Sequence, residues 1–423
     1  MDVGSEPRFI KIQRSLIKDG RVFDLDYTPP ANRVFVREEM KELGLKVSGF
    51  ISGLRRHLLL NGLPGTGKTL SARIVCREAE MLCESLKTYY IRCSQADTSF
   101  RVVSSILSTF KKKEIRGRSF NEGIKELFEL MNENDRNIMI LDDVDFLKDY
   151  RLLHVLSRTG EEAEAINVPS PCVLLVMISN TPHFLDRLPH STRSSLFPVV
   201  LTFGPYTKEE ILQVLKMRAE DGLVKNAVDE DTLELLSHLV AEKAFGDLRV
   251  AVLSLGLAAD DAARRGDKIR EKDVVDAFRQ ARKEVERFAL RKLTKNQLLL
   301  LYACILSVRQ QHRHGGKKTE METEAGLEFA EASRVYKLYK NLCHRFGILS
   351  PLNYKSFHNH INLLQNLGLV STSSVRTGKE KTPGKVIEPL VKKYVVAEEM
   401  KRKFESCPSL EGKTKTLDDF HTN

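Results

Sequence analysis

The stretch Gly62-Leu-Pro-Gly65-Thr-Gly67-Lys68-Thr69 follows an apolar strand candidate, His57–Asn61, and precedes a helical pattern that begins at Leu70. Its spacing is GxxxxGK[ST]. Glycines at these positions let backbone N–H groups turn towards a phosphate, and the N-terminus of the following helix adds a positive dipole. The lysine would neutralise the β and γ phosphates, and the threonine hydroxyl would bind Mg²⁺. A glycine-rich turn that binds nothing is the alternative, and the order of strand, loop and helix argues against it.

A second apolar strand candidate ends in a group of carboxylates. Asn137–Leu141 runs directly into Asp142-Asp143-Val-Asp145. A carboxylate at the tip of a buried strand is costly unless a cation lies there, so we expect Asp142 to hold Mg²⁺ together with Thr69. We expect the next residue, Asp143, to orient the attacking water. A glutamate is usual at this position, and the shorter aspartate predicts slow hydrolysis with little effect on ATP binding.

A third strand candidate, Val173–Ser179, ends in Asn180. The amide of this residue is suited to bind the attacking water or the γ-phosphate. Taken alone, an asparagine at the end of a strand is more often a turn residue. Beside the glycine-rich loop and the acidic strand tip, the functional interpretation is favoured.

The wider pattern predicts three regions. Between residue 20 and about residue 205, helical stretches separate five apolar segments, which predicts a mainly parallel sheet with crossover helices. The five predicted strands are His57–Asn61, Tyr89–Cys93, Asn137–Asp142, Val173–Ser179 and Val199–Phe203. A purely helical section extends from Tyr206 to about Ala289, and a third region begins near Lys292. Within that region the polar stretch 309–324 is typical of a loop.

The charge of the chain is unevenly distributed. The 423 residues carry a formal net charge of +10, with 42% hydrophobic residues, a composition that disfavours disordered, collagenous and membrane proteins. Residues 290–423 contain 23 basic and 13 acidic residues, whereas the first 289 contain 44 of each. An anion-binding C-terminal part follows, with nucleic acid as the first candidate. The N-terminus has no apolar secretory core and the seven cysteines form no CxxC pair, which predicts reduced intracellular thiols.

Three helical patterns followed by a hairpin pattern predict a winged helix in this basic region. The helices are expected at Asn296–Val308, Arg334–Phe346 and Asn353–Leu367. On the third of them an apolar face, formed by Phe357, Ile361 and Leu364, should pack inward. Other positions of that helix and of the hairpin are suited to phosphates and base edges. These candidate DNA contacts are Lys355, Ser356, Asn359, Arg376, Lys379, Lys381 and Lys385. Charge that serves only solubility is the alternative.

Together the three strand tips resemble Walker A, Walker B and sensor 1 of an AAA+ ATPase. The sequence Gly246-Asp247-Leu248-Arg249 resembles the GD-x-R sensor 2 of that superfamily, whose arginine moves onto the γ-phosphate from a lid domain. Three further segments are similar to archaeal replication initiators of the origin-recognition and cell-division-cycle family. They are the leader Phe23–Pro30 with Arg37-Glu38-Glu39, which lies near the adenine in that family, the stretch from Tyr90 to Arg101, and Phe203–Glu210. The resemblance extends from about Arg14 to Lys393.

This resemblance implies an α/β AAA+ P-loop domain with a parallel sheet over residues 14–205, a helical lid domain over 206–289, a C-terminal winged-helix domain over 290–400 and a tail over 401–423. ATP or ADP and Mg²⁺ are the implied cofactors, with Thr69 and Asp142 at the metal. The implied catalytic residues are Asp143, Asn180 and Arg249. The implied nucleotide contacts are Pro64, Gly65, Thr66, Gly67, Lys68, Thr69, Leu70, Tyr206 and Arg249. The family's basic residues before the fifth strand are only partly present, and Arg193 is the nearest candidate for an arginine that acts on a neighbour's nucleotide.

The resemblance implies an initiator that binds double-stranded origin DNA, uses ATP as a slow switch and helps to load the replicative helicase, with initiator paralogues as further partners. A clamp-loader-type ATPase and an AAA+ transcription regulator are the alternatives; the former would lack its Ser-Arg-Cys finger, because Ser194-Ser195-Leu196 stands there. The tail, Thr414–His421, resembles a sliding-clamp-binding peptide in which Thr414 replaces the glutamine and His421 the second aromatic residue. A plain disordered tail is the alternative. The compact chain favours an archaeal cytoplasm and nucleoid over a eukaryotic nucleus.

Overall fold

The computed structural model describes residues 16–111, 119–180, 184–291, 293–313, 330–366, 369–375 and 384–389, and positions 391, 396–397, 399–400 and 402–403. The chain divides into two compact units, Met1–Phe278 and Arg279–Asn423. None of the helices in the described ranges is long and apolar enough to cross a membrane.

A five-stranded parallel sheet forms the centre of the first unit. Its strands are β1 (Leu58–Gly62), β2 (Leu86–Arg92), β3 (Arg136–Asp142), β4 (Val173–Ser179) and β5 (Val199–Phe203). Their order in the sheet is β2-β3-β4-β1-β5, and every neighbouring pair is parallel. All five predicted strands are confirmed, although β2 begins three residues before the predicted start. Because the strands are parallel, the C-terminal ends of β1, β3 and β4 lie at one edge, where the loop and the polar tips follow them.

Helices cover both faces of this sheet, because side chains alternate between the faces along each strand. The helices are α1 (Glu38–Ile51), α2 (Lys68–Leu82), α3 (Ser99–Lys111), α4 (Phe120–Met131), α5 (Arg151–Ser157), α6 (Thr159–Ala165) and α7 (His190–Leu196). On one face of the sheet Leu59, Met139 and Leu175 pack against α3, α4 and α5. On the other face Leu58, Ile140 and Val176 pack against α1 and α2.

The section after β5 is helical, as predicted. It contains α8 (Lys208–Gly222), α9 (Glu230–Lys243), α10 (Leu248–Arg265) and α11 (Glu271–Arg291), and the last of these includes the boundary between the two units. A capping box between Thr207 and Glu210 begins α8. The leader packs directly on these helices: a Cβ at Gly222 or Gly256 would lie 2.5 or 2.8 Å from atoms of Phe23. Glycine at both positions therefore leaves room for the leader against α8 and α10.

The second unit has the helix and strand order of a winged helix. It contains α12 (Lys295–Arg313), β6 (Ala330–Glu331), α13 (Ala332–Arg345), α14 (Tyr354–Asn366), β7 (Val370–Val375) and β8 (Gly384–Pro389). The antiparallel sheet has the order β6-β8-β7. Phe357, Ile361 and Leu364 are fully buried on one face of α14, which confirms the predicted inward face.

Two details of this unit correct the sequence prediction. Residues 309–313 continue α12, so the predicted loop from residue 309 was wrong at its start. The strand β6 was not predicted, because two residues are too few to show an alternating pattern. The tip of the predicted hairpin, with Arg376, Lys379 and Lys381, lies outside the described residues, as does the tail from residue 404 onward.

Candidate nucleotide site and nucleic-acid interface

The loop between β1 and α2 encloses the ammonium group of Lys68. Gly65 and Gly67 have φ angles of 82° and 86°, in the left-handed region that favours glycine. The Lys68 Nζ donates hydrogen bonds to the carbonyl oxygens of Gly62 and Leu63, at 2.9 and 2.7 Å. Burial, aided by the positive charge of Arg249, lowers the pKa of Lys68 to about 8. The loop therefore holds the Lys68 side chain against its own carbonyl oxygens.

The other predicted loop residues lie around this cation. Thr66 is buried, and its hydroxyl donates to the Leu63 carbonyl at 2.8 Å. Pro64 and Leu70 are half-buried, before and after the turn. Thr69 is in the first turn of α2, directed at the neighbouring strand tip.

The carboxylate of Asp142 is buried and hydrogen-bonded to several donors. The Thr69 hydroxyl donates to its two oxygens at 3.1 and 3.2 Å, the Tyr90 hydroxyl donates to Oδ2 at 2.6 Å, and the Asp143 N–H donates to Oδ1 at 3.0 Å. Burial raises the pKa of Asp142. Among the described residues no lysine or arginine forms an ion pair with this carboxylate.

This donor set fits a magnesium ion. In the described part of the chain this buried carboxylate forms no ion pair, and together with the adjacent threonine hydroxyl it presents hard oxygen ligands, the kind that Mg²⁺ prefers. An ion there would also offset the burial that raises the pKa of Asp142. The fold thus brings Thr69 and Asp142 into contact, although more than seventy positions separate them in the sequence.

The side chains of Asp143 and Asn180 are also in contact. The Asn180 side-chain amide donates to Asp143 Oδ1 at 3.3 Å, and Asp143 has a left-handed backbone with φ of 55°. A third carboxylate, Asp145, fixes the end of β4, because it accepts bonds from the Ser179 hydroxyl and the Asn180 N–H, both at 2.7 Å. The sequence showed Asp145 as part of an acidic run but gave no sign of this role.

The lid contacts the loop through the sequence predicted as sensor 2. The Leu248 N–H donates to the Gly65 carbonyl at 3.3 Å, and a Cβ at Gly65 would lie 1.9 Å from Oδ1 of Asp247. Asp247 also holds Arg249, whose Nη2 and Nε donate to it at 2.5 and 2.9 Å. Burial opposes the charge of Arg249, but the Asp247 carboxylate outweighs it and the pKa of Arg249 is raised.

A buried arginine of the leader joins the loop to the start of the lid. The Arg37 guanidinium lies 4.3 Å from the centre of the Tyr206 ring and donates to the carbonyls of Thr66 and Gly204, at 3.2 and 3.0 Å. It also pairs with Glu210 at 3.2 Å. Tyr206 itself is buried against Gly67, where a Cβ would lie 2.5 Å from its hydroxyl. The sequence analysis included Arg37 in the leader but did not predict this linking role.

A second arginine missed by sequence reasoning is Arg218 on α8. It is 9% exposed, lies 4.8 Å from the centre of the Tyr27 ring, and its Nη1 has no hydrogen-bond partner in the described part of the chain. Burial lowers the pKa of Arg218. A buried donor without an acceptor, beside the leader, is suited to a polar ligand. The available signal was a cation on the apolar face of α8, in register with Ile211 and Leu215.

The candidate DNA contacts on α14 lie on its outer side. Lys355 and Asn359 are exposed, and Ser356 is half-buried with its N–H bonded to Asn353 Oδ1 at 2.8 Å. Lys385 is on β8, and only its backbone is described. The helix therefore presents a basic and amide-bearing face opposite its buried apolar one.

Comparison with protein families accounts for most of the chain. Residues 58–204 match the ATPase family associated with various cellular activities (AAA), residues 212–279 match the Cdc6 AAA+ ATPase-type lid domain, and residues 288–396 match the CDC6 C-terminal winged helix domain. The lid and the winged helix are therefore of the Cdc6 type. Its parts are accordingly an AAA+ domain with a parallel sheet, a Cdc6-type lid and a C-terminal winged helix.

This chain is similar to archaeal replication proteins. It is 29% identical to the ORC1-type DNA replication protein 1 of Aeropyrum pernix over 336 residues, 76% of this chain and 78% of the relative. It is 26% identical to the ORC1-type DNA replication protein of Pyrococcus horikoshii over 381 residues, 86% and 85% of the two chains. Among solved structures, the Aeropyrum pernix ORC1 protein in complex with DNA matches with a TM-score of 0.63 at 26% identity, covering 93% of this chain and 99% of the other.

A further solved structure supports the fold alone. The Aeropyrum pernix ORC2 protein, determined as ADPNP-ADP complexes, matches this chain with a TM-score of 0.62 at 21% identity, covering 93% of this chain and 100% of that chain. In the present structure Arg193, the candidate for acting on a neighbour's nucleotide, is exposed on α7 and pairs with Asp186 at 2.8 Å.

Proposed function

We propose that this protein is a replication initiator that binds double-stranded origin DNA under the control of bound ATP or ADP. One observation carries the proposal: the lid residues Asp247 and Leu248 contact Gly65 of the phosphate loop directly. A ligand in that loop must therefore share its space with the lid, so nucleotide occupancy and lid position are coupled. This coupling is what a switch requires.

In this proposal the loop residues 64–70 bind the phosphates, and Lys68 supplies the neutralising charge. Mg²⁺, held by Thr69 and Asp142, would supply charge stabilisation to the phosphates. Arg249, positioned by Asp247, completes the positive lining from the lid side. Tyr206 supports the loop at Gly67, and Arg218 offers beside the leader a buried donor that has no partner among the described residues. These residues bind and orient, and they require no covalent step.

We propose that Asp143 and Asn180 act in ATP hydrolysis. We assign to Asp143 the orientation of the attacking water and to Asn180 the placement of the Asp143 carboxylate, which its amide contacts at 3.3 Å. The short aspartate side chain and its hydrogen bond both restrict its reach, so we propose slow turnover. A slow enzyme would act as a switch that retains ADP. Mass analysis of the purified protein tests this: tightly bound ADP is expected.

The DNA contacts of the proposal are Lys355, Ser356 and Asn359 on α14, together with Arg376, Lys379, Lys381 and Lys385 of the wing. The basic surplus of this region and the exposed face of α14 support it. One solved relative, the Aeropyrum pernix ORC1 protein, is in complex with DNA. We propose that the AAA+ domain spans residues 14–205, the lid 206–289, the winged helix 290–400 and the tail 401–423. We also propose that initiator paralogues and the replicative helicase are partners.

The binding of labelled duplex DNA with ATP and with ADP tests the switch. A difference between the two nucleotides that disappears in Lys68→Ala is expected, whereas equal affinities in the wild type would contradict nucleotide control. Contact with a sliding clamp through Thr414–His421 is tested by deleting the last ten residues. Unchanged clamp binding would contradict that contact.

A further inference from the structure

A tyrosine outside the loop and the strand tips holds the carboxylate assigned to the metal. Tyr90 is on β2, beside β3 in the sheet, and its hydroxyl donates to Asp142 Oδ2 at 2.6 Å. The other donors to Asp142, the Thr69 hydroxyl and the Asp143 N–H, are at 3.0 to 3.2 Å. Tyr90 thus makes the shortest hydrogen bond that this carboxylate accepts in the described part of the chain.

Two arginines lie beside Tyr90. The Arg73 guanidinium, on α2, lies 5.6 Å from the centre of the tyrosine ring. Because α2 begins with Lys68 and Thr69, this contact ties the ring to the helix of the phosphate loop. Arg92, which is opposite Asp142 in the register of β2 and β3, interacts with the Tyr90 hydroxyl. The ring therefore neighbours one arginine and the hydroxyl another, while the hydroxyl is bonded to Asp142.

The ring of Tyr90 contributes less to the core than that of its neighbour. Tyr89 is 1% exposed and packs edge-on against Phe110, whereas Tyr90 is half-buried. A half-buried ring with a strongly bound hydroxyl points to a polar role. The two adjacent tyrosines, on opposite faces of one strand, thus differ in what their hydroxyls do.

We propose that Tyr90 is a positioning residue for Mg²⁺ at the nucleotide site: its hydroxyl keeps the Asp142 carboxylate oriented so that Asp142 and Thr69 can bind the same ion. This inference rests on the proposed nucleotide function. Residues that orient metal ligands commonly change metal affinity by about 10- to 100-fold when they are removed. A carboxylate that has lost its shortest hydrogen bond can rotate away from Thr69.

The variant Tyr90→Phe removes the hydroxyl and keeps the ring. Binding of a fluorescent ATP analogue is measured over a range of Mg²⁺ concentrations, and binding of ADP is measured in EDTA. The Mg²⁺ concentration at half-maximal ATP binding should rise about tenfold, while ADP binding in EDTA stays unchanged. Tyr89→Phe, the matched control on the same strand, should leave the Mg²⁺ midpoint at its wild-type value.

Two results would overturn the inference. One is a Mg²⁺ midpoint in Tyr90→Phe that equals that of the wild type. The other is an equal loss of metal-free ADP binding, which would mean that the hydroxyl supports the whole site and has no particular relation to the metal. A wild-type protein that binds no nucleotide at any Mg²⁺ concentration would contradict the proposed function instead, so the two failures are distinguishable.

Discussion

Asp247 occupies the space that a side chain at Gly65 would need: a Cβ there would lie 1.9 Å from its Oδ1. One residue belongs to the lid and the other to the phosphate loop. Because Asp247 is itself bonded to Arg249, the carboxylate cannot move without disturbing the arginine. The contact therefore couples the loop, the lid and the predicted sensor in one place.

The first prediction uses this contact. Gly65→Ala should force Asp247 away and place alanine at φ of 82°, a backbone strain of about 1–3 kcal/mol. We expect a lower melting temperature and a loss of nucleotide affinity of about tenfold or more, measured by calorimetry and fluorescence titration. Gly160→Ala is the control, because an added Cβ in α6 meets no atom within 4 Å. Wild-type affinity in Gly65→Ala would show that the lid contact does not matter.

The second prediction concerns hydrolysis. Asp143→Asn removes the charge that orients the attacking water, and asparagine tolerates the left-handed backbone at this position. ATP turnover should fall by about 100-fold or more, the range for loss of a general base, while ATP binding stays close to wild type. Single-turnover hydrolysis and equilibrium binding measure the two quantities. Unaltered turnover would show that Asp143 does not take part in hydrolysis.

The third prediction concerns pH. His57 accepts a hydrogen bond from the Leu175 N–H at 3.1 Å, and burial, aided by Arg55, lowers its pKa from 6.5 to about 4. Between these values the unfolded chain binds a proton that the folded chain does not, so the free energy of unfolding falls as the pH falls. This group alone should contribute a loss of about 2 kcal/mol from pH 7 to pH 5.

The comparison of wild type with His57→Asn isolates this contribution, because asparagine can accept the same hydrogen bond and does not titrate. Urea unfolding at pH 7 and pH 5 gives the two free energies. The variant should lose less stability than the wild type over this interval. An identical loss in both proteins would mean that His57 does not titrate as proposed.

The fourth prediction concerns the wing. Simultaneous substitution of Arg376, Lys379, Lys381 and Lys385 by alanine should abolish most DNA affinity and reduce the salt dependence of what remains, because each phosphate contact adds close to one unit to the logarithmic salt slope. ATP binding should be intact. Replacing the exposed Lys41 of α1 is the control. Retained DNA affinity in the fourfold variant would mean that these charges serve solubility.

The sequence predicted those parts of the site that depend on short segments. Gly62–Thr69 is contiguous, and Asp142 and Asn180 each end an apolar strand, so parallel pairing was enough to bring them together. Arg37 could not be assigned a role in the same way, because its partner Glu210 is 173 positions away and the contact depends on how the leader packs. The roles of Tyr90 and Arg218 could not be predicted for the same reason. Tyr90 contacts Asp142 on the neighbouring strand, and Arg218 contacts Tyr27 of the leader.

We propose above all that this protein recognises a replication origin under nucleotide control. Footprinting on the source organism's own origin and promoter DNA, with ATP and with ADP, tests it most directly. We predict protection of defined origin segments beyond that of random DNA, with a pattern that differs between the two nucleotides. Protection of origin DNA that is no better than that of random DNA, in either nucleotide, would contradict the account.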